Sequence, residues 1–93
     1  MNKQLSRYIA EYTHGFIDGW SKRCMENDNY FLLATLGVAK ATDIILNSLL
    51  QQDLMKRYSY YYTVHEVRYI VESIVLNYVD EELSTIRAIS EYC

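Results

Sequence analysis

Nothing in this chain forces a helix to stop. Its 93 residues include no proline, the residue that removes a backbone donor and clashes with the preceding helical turn. Only three positions, Gly15, Gly19 and Gly37, are glycines free to turn through positive φ. The architecture this predicts is long helices joined by short polar breaks. Ten tyrosines complete the picture: each carries a large apolar ring with a polar tip, the combination enriched where proteins touch one another.

A chain of this length makes one domain, residues 1–93. A domain so small buries a limited share of its surface and is marginal alone. Apolar content of 51% exceeds what a lone subunit of this size hides, so a homodimer is expected. The net charge of −3 disfavours nonspecific attraction to nucleic acid or anionic lipid. The charge is uneven: residues 59–93 hold two basic and six acidic side chains. Cys24 and Cys93 form no CxxC pair, which argues against a disulfide framework and for a reducing compartment. The first residues, Met1 to Arg7, lack the apolar run of a signal peptide. The longest near-apolar run, Phe31 to Ala39, is about half the ~20 residues that span a bilayer. A soluble, cytoplasmic protein without membrane contact is expected.

The periodicity predicts a first helix from about Gln4 to Met25. Leu5, Tyr8, Ile9, Tyr12, Phe16 and Trp20 recur at steps of three and four, the spacing of a helical apolar stripe. Gly15 and Gly19 each cost about 1 kcal/mol of helix propensity against alanine, so the spacing predicts either close approach of another element or a local kink. Glu26 to Asn29 reads as a turn. A second helix is expected from about Tyr30 to Arg57, apolar nearly all round in its first half. Its second half is amphipathic, with Ile44, Ile45, Leu49 and Leu50 inward and Asp43, Asn47, Gln51 and Gln52 outward. Small residues Ala34, Gly37 and Ala41 would let a neighbouring helix sit close. Ser59 to Tyr62 reads as a bend or extended piece. Thr63-Val64-His65-Glu66 then matches a capping box and opens a third helix. Val64, Val67, Ile70, Val71, Ile74, Val75 and Tyr78 form its apolar stripe, opposite His65, Glu66, Tyr69, Glu72, Ser73 and Asn77. The pattern either continues through Leu83, Ile86 and Ile89 or breaks near Val79-Asp80 into a short fourth helix. The fold class is therefore all-α: a compact bundle of three long helices with room for a short fourth.

Chemistry-bearing constellations are sparse. Glu11, His14 and Asp18 share one helix face, but a metal needs a fuller ligand set from a second element, and the only other histidine, His65, sits in the capping context. Their plain reading is a solvated polar face. Cys24 and His14 lie nearly three turns apart on one helix, too far for a nucleophile and its base. No glycine-rich phosphate loop is present. Catalysis, metal and cofactor are not expected. Lys56-Arg57-Tyr58-Ser59-Tyr60-Tyr61-Tyr62 mixes cations with rings as single-strand binders do, yet two cations without a wider basic stripe fit packing or protein contact better, so direct nucleic-acid binding is not expected. Trp20, Tyr58, Tyr60, Tyr61 and Tyr62 are the candidate interface aromatics. Glu66, Glu72, Asp80, Glu81, Glu82 and Glu91 are the candidate acidic face. That face is either ordinary solvated surface or a display that imitates the spaced charges of DNA, one per ~1.7 Å of duplex.

The opening segment, Tyr8-Ile9-Ala10-Glu11-Tyr12-Thr13-His14-Gly15-Phe16-Ile17-Asp18-Gly19-Trp20, together with the chain's size and tyrosine-rich, mildly acidic character, resembles small early anti-host proteins of T-even-like bacteriophages, of the anti-restriction Arn type. The likeness covers about a fifth of the chain and includes no diagnostic motif. It implies an acidic dimer that occludes a host restriction, defence or nucleoid protein, in the host cytoplasm. The function expected is thus a non-enzymatic, phage- or mobile-element-encoded inhibitor. The alternatives are a self-assembling structural or regulatory bundle of immunity or antitoxin type, and a small DNA-binding regulator.

Overall fold

The computed structural model describes residues 2–26 and 36–92. Four α-helices run through them: α1 (Lys3–Glu26), α2 (Val38–Leu50), α3 (Asp53–Arg57) and α4 (Val64–Tyr92), with a 3-10 turn at Ser59–Tyr61 before α4. No strand occurs among the described residues. The all-α expectation holds. Of the turn predicted at Glu26–Asn29, Glu26 closes α1; residues 27–29, the apolar stretch Phe31–Ala34 and Cys93 lie outside the described residues.

The inner faces follow a step of four. In α1 Leu5, Ile9, Thr13 and Ile17 are buried; in α4 Val67, Val71, Val75 and Val79 are buried. Short β-branched side chains in that register let two helices approach closely, and each buried apolar side chain contributes about 1.5–3 kcal/mol. From α2, Ala41, Ile45, Leu46 and Leu49 complete the core, with Met55 from α3 beneath them. Helix α4 packs along both α1 and α2. Arg7 and Ala10 neighbour Tyr69 and Ile70, and further along His14 and Asp18 meet Tyr78. The two long helices therefore run in the same direction, and the intervening segment carries the chain back. The 29 residues of α4, about 43 Å at 1.5 Å per residue, account for most of the 52 Å long axis.

The expected second helix, Tyr30 to Arg57, is interrupted twice. Gly37 sits at φ 94° as the residue before α2, a conformation that L side chains rarely adopt; its carbonyl still accepts the first bond, from Ala41 N at 3.1 Å. The second break is at Gln51-Gln52. Gln52 N bonds Leu49 O at 3.0 Å, three residues back, which tightens the last turn. The Gln52 amide then reaches the Ser48 carbonyl and the Tyr12 hydroxyl, both at 3.3 Å. A side chain expected to point into solvent instead seals the end of α2 and ties it to α1. Ile44, expected inside, is 38% exposed, and Leu46 fills the place.

Two local expectations are met closely. Thr63 Oγ1 accepts from Glu66 N at 3.2 Å, while the Glu66 carboxylate accepts from Thr63 N at 3.2 Å, so both halves of the capping box form. Ser59–Tyr62 bends, as a 3-10 turn followed by extended Tyr62 (φ −149°, ψ 161°). The helix it opens runs through Val79-Asp80 to Tyr92 without a break. Gly15 and Gly19 depart from the packing expectation: α1 continues through both, and a methyl group added at either meets nothing within 4 Å.

Candidate functional site

Helix α4 places the acidic residues, and its geometry divides them. Successive helical residues are rotated by about 100°, so Asp80, Glu81 and Glu82 fan around the axis rather than share a face. Glu66, Glu72 and Asp80 fall on the outer face and are exposed; Glu81 turns toward α1, and Glu82 is half-buried. The position of the Glu91 side chain lies outside what is described. From Glu66 to Asp80 the helix rises about 21 Å, a length over which duplex DNA carries about 12 charges. Three outer carboxylates do not approach that density.

Glu11, His14 and Asp18 resolve into two separate contacts. Arg7 pairs with Glu11 at 3.0 Å along α1. His14 and Asp18 clasp Tyr78 of α4: the Tyr78 hydroxyl donates to Asp18 Oδ1 at 3.2 Å and lies 3.1 Å from His14 Nδ1. Since the hydroxyl has one proton to give, His14 Nδ1 carries the hydrogen in this contact. The rings also stack, tilted, at 5.7 Å. Burial pushes the Tyr78 hydroxyl above the usual tyrosine range, helped by the negative charge of Asp18 and, more weakly, Glu81. What reads in sequence as a metal-like triplet is a polar junction between the two long helices. Among the described residues, no group of three or more histidine, cysteine or acidic side chains is placed to hold a metal ion, and no helix is long and apolar enough to cross a membrane.

The aromatic candidates separate as well. Tyr8, Tyr12, Phe16 and Trp20 form a ladder up α1, neighbouring rings 5.7–6.3 Å apart. Trp20 is half-buried at its top, against the core, so it is engaged in the protein's own packing. Tyr62 is engaged likewise, donating to Met55 O at 2.8 Å. Tyr58, Tyr60 and Tyr61 remain outside, at 41%, 97% and 63% exposure. Tyr58 and Tyr61 pair at 5.9 Å and form one wall of a cleft of about 470 Å³. Asn2, Gln4, Leu5, Tyr8 and Leu54 complete its lining. A volume in the range of small-molecule and side-chain pockets, apolar with a few polar groups, suits an inserted side chain. Asn2 is visible in sequence only as polar; its role emerges because α1 starts beside the α3 corner.

A second concavity opens on the other side of α1. Lys3, Arg7 and Ala10 face His65, Glu66, Tyr69 and Ile70 across a shallow groove of about 710 Å³. Sequence patterning does not reveal it, because it requires α1 and α4 to be parallel with their N-termini side by side. Periodicity puts Tyr69 on the polar face, and it is indeed 74% exposed.

No protein-family model, no curated protein and no solved structure matches this chain.

Proposed function

We propose that the protein is a non-catalytic binding protein that occupies the surface of another protein, with the tyrosine corner at Tyr58–Tyr61 as its contact end. One observation carries the reading: three neighbouring tyrosines stand exposed beside an open apolar cleft, while the remaining rings of the candidate set are packed. Exposed, locally constrained tyrosines around a desolvatable pocket are the usual anchors of protein interfaces. The mechanism is steric occlusion. The carboxylates of α4 set association rate and partner choice rather than imitate a duplex, because their density falls well below that of DNA. The likeness of residues 8–20 to early anti-host proteins makes a host restriction, defence or nucleoid protein the first partner class to test, with the inhibitor acting in the host cytoplasm as a homodimer of one-domain subunits.

The test is affinity capture from a bacterial lysate at two salt concentrations, using wild-type protein and a Tyr58→Ala/Tyr61→Ala variant. A partner retained by the wild type at both salts, lost with the variant and not displaced by added DNA supports the reading. Capture that is indifferent to the two tyrosines removes it.

A further inference from the structure

Helix α4 carries a second apolar series, on the side away from the core. Tyr69, Leu76 and Leu83 are 74%, 47% and 49% exposed and stand seven residues apart. Seven residues is two turns less about 20°, so the three line one outward stripe about 21 Å long. The spacing is symmetric: Tyr69 and Leu83 lie equally far from Leu76. A stripe of this kind can pair with itself when a second helix lies across it antiparallel.

We propose that the outer face of α4 is the seam of a homodimer, two copies packing antiparallel about a two-fold axis at Leu76. This supplies a seam for the homodimer named above and leaves the tyrosine corner free. Leu76 then meets Leu76 of the second copy, and Tyr69 comes level with Leu83 of the second copy. The charges decide between a second copy and an unrelated apolar partner. The groove beside Tyr69 is rimmed by Lys3, Arg7 and His65, with Glu66 as its one carboxylate, and the Arg7 side chain is 81% exposed despite its pairing with Glu11. Antiparallel pairing brings Asp80 of the second copy, which is exposed, to the Arg7 end of this groove, with Lys3 beyond. The complementarity occurs twice, once on each side of the axis, as an isologous interface requires. A like-charged pairing opposes it, also twice, since Glu72 of each copy comes level with Asp80 of the other. The face from His65 to Arg87 is about 33 Å long and about 10 Å wide, so α4 alone buries roughly 700 Å² in total. That is below the standard interface size, and the dimer is accordingly weak and concentration-dependent, dissociating on the order of micromolar.

Sedimentation velocity from about 1 to 500 µM reads the proposal, with circular dichroism as the check that each variant is folded. The wild type shifts from monomer to dimer across this range. Leu76→Glu weakens association at least 30-fold, and Glu72→Lys tightens it several-fold. Lys3→Glu/Arg7→Glu weakens self-association about 10-fold. A dimer indifferent to Leu76→Glu, or to Lys3→Glu/Arg7→Glu, overturns the seam without touching the tyrosine corner. A wild type that stays monomeric throughout overturns both the seam and the homodimer. Lysate capture by folded Leu76→Glu, still dependent on Tyr58 and Tyr61, separates that failure from a failure of the binding function.

Discussion

Two apolar series share helix α4. Val67, Val71, Val75 and Val79 advance by four and are buried, whereas Tyr69, Leu76 and Leu83 advance by seven and are exposed. The inner series consists of short, stiff side chains whose rotamers are nearly fixed in a helix, and it faces two other helices. The outer series consists of larger side chains with more freedom, set among Glu72, Ser73 and Asp80. Hydrophobic character alone does not separate the two; position relative to α1 and α2 does. A step of four also drifts by about 40° around the axis each time it is taken. Extended from Val79, the same count reaches Leu83, which has rotated out of the core. Of the two expectations for this end of the helix, it does continue past Val79-Asp80, but Leu83 has left the buried stripe for that reason.

The sharpest way to break this comparison is one substitution made on each side. Val71→Asp places an unpaired carboxylate among residues with no exposure. It should destabilise by at least about 4 kcal/mol, enough to unfold a domain of this size. Leu76→Asp, little more than one turn further along, should change stability by no more than about 0.5 kcal/mol when measured on the monomer. Urea denaturation at low micromolar protein, followed by circular dichroism, compares them. Equal effects would show that the outer leucine is also part of the subunit's own core.

The start of α4 fixes which series faces inward, so its cap is the next lever. Thr63→Ala removes the acceptor for Glu66 N and leaves one half of the capping box. The expected loss is about 1 kcal/mol, read as a lower urea midpoint with an unchanged slope. The cap is legible in the sequence alone: a threonine, a glutamate three residues on, and an apolar run after them specify local bonds that depend on nothing distant. The helical phases of α1 and α4 are legible for the same reason. The ends of α2 are not. Gln51-Gln52 carries no breaking residue, and the helix ends there because the Gln52 side chain finds Ser48 and Tyr12, a partner 40 residues away. Buried Thr13 and Thr42 escape a reading by pattern because each counts as polar, although Thr13 Oγ1 satisfies itself on Ile9 O at 2.8 Å. For the candidate site, the exposed tyrosines are legible as a cluster, but not the sorting of Tyr62 inward. The groove depends on parallel packing that no local pattern encodes.

Tyr78 sits on the border between the two faces, and pH sharpens its assignment. Its folded hydroxyl holds its proton more firmly than the unfolded chain does. Between the ordinary tyrosine value of about 10 and its raised folded value, the native state binds one more proton than the unfolded state. Stability must therefore fall as pH rises through that window, while the contribution is fully present below it. Tyr78→Phe should cost about 1 kcal/mol at pH 7 through the lost bonds to Asp18 and His14. The difference between wild type and variant should shrink above pH 10, and denaturation at pH 8 and above pH 10 measures it. A difference that stays constant would mean the hydroxyl is no more committed to the helix junction than an exposed tyrosine.

The smallest expected effect concerns the outer side of α1, where the same logic runs in reverse. Gly15 and Gly19 lie in unbroken helix with open space where a methyl group would go. A glycine in that setting gives the unfolded chain freedom that folding must then remove, and neither close packing nor a positive φ compensates for it. Gly15→Ala and Gly19→Ala should each stabilise by about 0.4–1 kcal/mol, and, being on one exposed face without shared partners, should act nearly additively. Thermal denaturation of the two single variants and the double variant measures this. A loss of stability in either would mean that something approaches this face closely in solution, and the face of α1 would then belong with the outer stripe of α4 as contact surface. Stabilisation in both leaves the outer stripe of α4 and the tyrosine corner as the surfaces whose exposed residues call for a partner.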